Sequence, residues 1–231
     1  MANNACIIAY CIIIFTIIIQ FGYNIKNQIN MCWNANVSLN TYIFGLFASM
    51  FGYLNNKITF TGLLFIQTWL SIQLIEYFIW NKTFSNRTLS QIAFTLIACQ
   101  PLFGILSISK ANFIKYGFLV SYVCFAIITM TAHPWSKIDF TSTPAVNGHL
   151  AWNWMKYPNA ILLIWFMFFS VKFIVNKEWF ILSLVTFSAA LTYSLYHKTL
   201  TWGSLWCWLS NFVSFIIIIS VFYDDVCLYY K

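Results

Sequence analysis

Eight apolar runs of about 17 to 22 residues follow one another along the chain, at 5–23, 38–54, 59–80, 89–108, 113–132, 158–175, 179–196 and 203–223. A helix needs about 20 mostly apolar residues to cross the hydrocarbon core of a bilayer. Backbone in lipid must satisfy its own N–H and C=O groups, so only helices and closed barrels span. Barrel strands are short and alternate apolar with polar residues, and these runs do not alternate. The expected fold is therefore all-α: a polytopic transmembrane helical bundle with a seven-helix core over 31–231 and one further helix in residues 1–30. That N-terminal segment lacks a basic n-region and a small-residue cleavage site, so it reads as a retained anchor rather than a cleaved signal.

Composition agrees. The chain is 61% hydrophobic and only 7% charged, too little charge to cover a soluble surface. Twelve Lys+Arg against five Asp+Glu give a formal charge of +7. The basic residues lie singly between apolar runs, which suits lipid headgroups and gives no cluster for nucleic acid. The seven cysteines form no CxxC pair and read as small apolar residues.

Alternate loops fall on opposite sides. On the N-terminal side, side A, lie Lys57, Lys110, Lys115, Lys172, Lys177 and Lys231. On side B lie Lys26, Lys82, Arg87, Lys137, Lys156 and Lys198. Six against six leaves the positive-inside rule silent. Three Asn-X-Ser/Thr triplets, at Asn36, Asn81 and Asn86, all fall on side B and lean towards that side being lumenal or extracellular.

One carboxylate, Glu76, sits inside an apolar run. Facing lipid at mid-bilayer it would cost roughly 3 kcal/mol. Trp69, Gln73, Glu76 and Trp80 recur at spacings of four, three and four, which places them on one helix face. The other face, around Leu74 and Phe78, reads as lipid-like. Glu76 is therefore expected to face the bundle interior near side B. The same pole gathers His133, His149, His197, Trp152, Trp154, Trp202, Trp206 and Trp208. The long loop 133–157 is too aromatic to hang free and is expected to cap the helix ends, with His149 and Trp152 inward. Pro101 should kink its helix and free carbonyls, one of which Gln100 is placed to satisfy. The candidate ligand-binding residues are Glu76, Gln73, Gln100, His149, Trp152, Trp206 and Trp208. The histidine and acid spacing matches no metal motif, and no cofactor is expected.

Five segments, MCWNANVS at 31–38, QLIEYFIW at 73–80, ACQPLFG at 98–104, GHLAWNW at 148–154 and GSLWCWLS at 203–210, together resemble a family of uncharacterised multi-pass proteins of bacteria and large DNA viruses, marked by an MCWS-like N-terminal motif. The resemblance spans roughly 31–223. Asn34 stands where serine is usual, and Asn153 where an acid often follows the tryptophan. It implies a seven-helix core starting after Met31, and it groups Cys32, Trp33, Glu76, Gln100, Pro101, His149, Trp152, Trp206 and Cys207 into one feature. A viral origin would place the chain in a host or virion membrane. Rhodopsins, PQ-loop carriers and ceramidase-like hydrolases fit worse: the last helix lacks a lysine, Gln-Pro is reversed and single, and the histidines lie at loops or helix ends.

Three functions follow from this reading. The first is a carrier, channel or small-ligand binder with a side-B cavity and a titrating Glu76. The second is a structural or assembly membrane protein. The third is an intramembrane lipid-modifying enzyme with Glu76 and His149 as acid and base. The bilayer is the expected partner, with a small molecule, ion or lipid as ligand; the oligomeric state stays open.

Overall fold

The computed structural model describes residues 35–108 and 113–222, excluding the side chains of 207–210. The expected N-terminal anchor, Cys32 and Trp33 lie outside the described residues. Seven helices are described: α1 (Ala35–Leu54), α2 (Phe60–Trp80), α3 (Asn86–Leu106), α4 (Phe113–Ala132), α5 (Asn159–Val175), α6 (Trp179–Tyr196) and α7 (Trp202–Phe222). Six are long and apolar enough to cross a membrane; α5, at 17 residues, is shorter.

The helix ends follow from local chemistry. Thr59 and Ser85 cap α2 and α3, accepting from the backbone N–H of Gly62 and Thr88 at 3.1 and 3.5 Å. Three C-termini close alike, after Leu54, Trp80 and Val175. Asn56, Lys82 and Lys177 take left-handed φ values of 57°, 55° and 60°. The next residues, Lys57, Thr83 and Glu178, return their N–H to Gly52, Phe78 and Phe173 at 2.8, 3.3 and 2.7 Å. This is the Schellman closure, made here with Asn and Lys instead of glycine. The short polar breaks NNK, NKT and NKE therefore act as helix terminators.

α2 is the central helix and packs against α1, α3 and α7. The centre of its expected lipid face, Leu74 and Phe78, is half-exposed, but the flanks are not: Leu70 is fully buried and Ile75 lies in the core. A helix apolar all round can be enclosed by neighbours as readily as by lipid, so the stripe is narrower than its apolar residues suggest. Close approach is needed here: a Cβ on Gly45 of α1 would meet Leu70 at 2.3 Å. α4 is the outlying helix, with Tyr122 its one buried residue. Cys124 is exposed on it, against the buried reading.

Loop 133–157 folds back over the side-B ends. It contains a short antiparallel hairpin the sequence did not signal, β1 (Ser142–Pro144) against β2 (Leu150–Trp152), with Ser142 opposite Trp152. Gly148, at φ 77°, turns between them. Asn86 clamps the hairpin to α3: its amide nitrogen donates to the Ser142 carbonyl at 2.7 Å, and its oxygen accepts from the Ser142 N–H at 2.9 Å. Across the cap, Asn147 donates to Thr201 at 2.9 Å, and the Trp152 N–H donates to the Leu200 carbonyl at 3.1 Å. Phe140, Leu150, Trp152, Trp154 and Met155 join Ile72, Ile75, Ile79 and Trp202 in one buried cluster.

Two of the three glycosylation triplets are thereby occupied. The Asn86 amide holds the hairpin. Asn36-Val-Ser lies within α1, and its Ser38 is buried. They no longer argue for an orientation.

Candidate functional site

Glu76 lies one turn before the end of α2 and is 2% exposed. Its carboxyl is held from both sides of the helix. Ser204 of α7 donates to Oε1 at 2.6 Å, and Ser38 of α1 donates to Oε2 at 3.3 Å. The Trp152 and Gln73 side chains also act on this carboxyl. Four parts of the chain thus converge on it: the starts of α1 and α7, the body of α2, and the second strand of the cap. Trp152 is 1% exposed and closes the site towards side B.

Gln73, one turn deeper on the same face, is 0% exposed. Neither its amide nitrogen nor its oxygen completes a hydrogen bond of ordinary length and angle. Leaving a buried donor or acceptor unmet costs about 1–3 kcal/mol, so this amide is a deliberate feature or a strained one.

The structure sorts the other candidates into separate places. Gln100 is 2% exposed and donates to the Thr68 carbonyl of α2 at 3.4 Å. It does not repair the Pro101 break as expected. The carbonyl that Pro101 leaves unpaired, four residues back at Ile97, accepts from the Trp165 indole of α5 at 3.0 Å. The next one, at Ala98, accepts from the Tyr122 hydroxyl. Larger side chains on facing helices reach these carbonyls, while the Gln100 amide points to α2 instead.

His149 is buried in the cap beside Tyr196, ring centroids 6.1 Å apart, and is not among the groups acting on Glu76. Desolvation holds its imidazole down, to about 4 from 6.5. The Trp206 indole donates to Ser188 at 3.2 Å, away from Glu76. The side chain of Trp208 lies outside the described residues.

The two serines are not among the candidate residues read from the sequence. Ser204 stands on the α7 face with Asn211, the kind of polar pair that commonly bonds one membrane helix to another. Ser38 closes the MCWNANVS segment. The available signal was small hydroxyl residues at the same depth as the acid on both neighbouring helices.

A cavity of about 100 Å³ lies beneath the cap, at the Pro101 break. Its walls come from α3, α4, α5, α7 and the cap, among them Ala98, Gln100, Ala126, Trp154, Trp165 and Trp206. The wall is almost wholly apolar. Trp154 is one of its lining residues and is 5% exposed; its indole N–H is buried and has no partner in the protein. Trp154 packs edge-on against Trp152, centroids 5.4 Å apart. Trp152 in turn bears on Glu76. A second, wider cleft of about 400 Å³ between α5 and α6 shares Trp165, Trp202 and Trp206 with the first.

Comparisons with family models, curated proteins and solved structures found no match. The helices themselves place the chain among multi-pass integral membrane proteins.

Proposed function

We propose that this protein is a membrane-embedded small-ligand binder or carrier. Its ligand is a hydrophobic molecule bearing one hydrogen-bond acceptor, lodged beneath the cap, and Glu76 changes protonation as the ligand or the cap changes state. The carrying observation is the Trp152–Trp154 pair. One indole bears on the buried carboxylate, and the other lines the apolar cavity and carries a buried N–H with no partner in the protein. Ligand sites are commonly of this kind, an apolar wall with few placed polar groups. The proposal includes a seven-helix membrane core, with α5 as its shortest member and residues 1–30 as an added anchor. It also keeps the resemblance to the MCWS-marked family.

A structural reading has one observation in its favour: both Glu76 oxygens are already bonded within the protein. A purely structural polar contact would, however, not leave the Trp154 N–H unmet. Glu76 and His149 are not brought together as an acid–base pair, so the enzyme reading gains no support.

The test uses 7-methoxycoumarin, a small apolar fluorophore whose lactone carbonyl accepts a hydrogen bond, on the full chain in nanodiscs. Energy transfer from tryptophan to the probe should be saturable. Ala126→Trp fills the cavity from the outlying α4 and should abolish saturation with the fold intact. Trp154→Phe keeps the shape and loses the N–H, so affinity should fall roughly 3- to 10-fold, one ordinary hydrogen bond. Non-saturable transfer, or transfer unaffected by Ala126→Trp, sinks the reading.

A further inference from the structure

α5 and α6 pack closely over the half of their length nearer side A. There Phe169 and Phe173 of α5 meet Ile181 and Val185 of α6 in one buried cluster. Towards side B the packing gives way to the cleft of about 400 Å³. Ala189 and Ala190 stand there on α6 and bring no bulk to fill it. The lining runs from Asn159 to Phe166 on α5 and from Thr186 to Tyr193 on α6, about 10 Å along each axis. That depth starts at the side-B surface and stays within one leaflet, half of a hydrocarbon core about 30 Å thick. Leu163, 61% exposed, and Ala190, also exposed, border the opening, so the cleft faces the bilayer. Its back is a wall of Trp165, Trp202 and Trp206. Two of these rings are pinned, the Trp165 indole to the Ile97 carbonyl at 3.0 Å and the Trp206 indole to Ser188 at 3.2 Å. The cleft is thus a space of its own, on the lipid side of the cavity wall.

Its side-B rim carries donors. The Tyr193 hydroxyl donates to Asn159 Oδ1 at 2.8 Å and ties the two helices there. The Asn159 oxygen is thereby used, while its amide N–H groups have no partner among the described residues. Lys156 precedes Asn159 by three residues, and Lys198 follows Tyr193 by five. Both lysines are exposed, and neither is ion-paired among the described residues. Asp139, the carboxylate of the side-B cap, accepts from Thr141 instead.

The 400 Å³ of the cleft falls in the range of ligand sites, roughly 300–1,000 Å³. One turn of a helix, about 10 Å across and 5.4 Å in pitch, already takes up that volume, so an unbranched chain fits where a further helix does not. Basic side chains at helix ends reach the headgroup level, and basic pockets between membrane helices suit anionic headgroups. We propose that the α5–α6 cleft binds one acyl chain of an anionic phospholipid from the side-B leaflet, its phosphate held by Lys156, Lys198 and the Asn159 amide. The inference goes beyond the function proposed above: the lipid lies outside the cavity and needs no ligand within it.

The test is native mass spectrometry of the full chain in detergent, titrated with phosphatidylglycerol or phosphatidylcholine of the same acyl chains. Phosphatidylglycerol should bind the more tightly, at one site. Lys156→Gln and Lys198→Gln should each weaken it roughly 5-fold, and the pair together roughly 30-fold. Ala190→Trp fills the cleft and should remove that lipid. Both lysines are exposed, so their pair keeps the test decisive if Ala190→Trp fails to fold. Lys82→Gln with Arg87→Gln, basic residues of the same side at the α2–α3 turn, should leave binding unchanged. Equal retention of the two lipids by wild type, or equal losses from the two basic pairs, overturns the site. So does a folded Ala190→Trp that keeps its lipid. Displacement by glycerol phosphate would assign the rim to a soluble phosphate, and no retained lipid would mean that protein covers the cleft; either result overturns it as well.

Discussion

Glu76 is held by residues that individually look unremarkable, two serines and a tryptophan. Their effect comes from depth, since in a dry interior an unmet carboxylate acceptor is costly. Ser204 makes the shorter contact, at 2.6 Å. Ser204→Ala should therefore lower stability by about 1–3 kcal/mol, read as a fall in melting temperature in detergent, and Ser38→Ala by less, since its contact is 3.3 Å. No loss in Ser204→Ala would show that the clamp is not formed in solution. His149 supplies a second prediction. Burial holds its imidazole near 4, against 6.5 when free, so the native side chain is neutral. The unfolded chain takes up a proton as pH falls through 6.5, and the native state does not until about 4. Between these values the unfolded state holds more protons, so stability falls as pH falls. The contribution is complete above pH 6.5 and is lost towards pH 4, amounting to at most about 3 kcal/mol. Melting curves of His149→Gln should be flatter than wild type across that window. Parallel curves would mean that His149 is solvated in the native cap.

At the scale of elements, α3 shows how a continuous helix with an internal proline becomes a cavity wall. Pro101 removes a backbone bond, and Trp165 and Tyr122 answer it from α5 and α4. Both also line the space left beside the break. Trp165→Phe keeps the ring packing and strands the Ile97 carbonyl, so it should destabilise by about 1–3 kcal/mol, measurable by thermal unfolding. An unchanged melting temperature would mean the carbonyl is met otherwise. Much at this scale was legible. The apolar runs gave helix bounds within about three residues, because hydropathy and the Asn-Lys terminators act locally. The α2 stripe gave the direction of Glu76. What was not legible depended on long-range pairing. The hairpin is held by Asn86, 56 residues from Ser142. Ser204 meets Glu76 across 128 residues. No spacing rule within one helix reports such partners. Nor does periodicity reveal how wide the lipid-facing stripe of a wholly apolar helix is: on α2 its centre, Leu74 and Phe78, is half-exposed, while its flanks, Leu70 and Ile75, are buried.

The whole molecule is asymmetric across the bilayer. Side B is sealed by an aromatic cap with an apolar cavity beneath it. Side A opens into a polar pocket bounded by a loose ion pair. Glu76 lies between the two, joined to the cavity through Trp152 and Trp154. The central claim is that the carboxylate and the cavity are coupled. The most direct measurement is the affinity of 7-methoxycoumarin as a function of pH, between about 5 and 8, for wild type and Glu76→Gln side by side. Both proteins retain His149, so its titration cancels in the comparison. The account predicts that wild-type affinity changes across this range and that Glu76→Gln binds the probe with a flatter profile. Two superimposable profiles would contradict it, leaving Glu76 as a structural contact that the cavity does not sense.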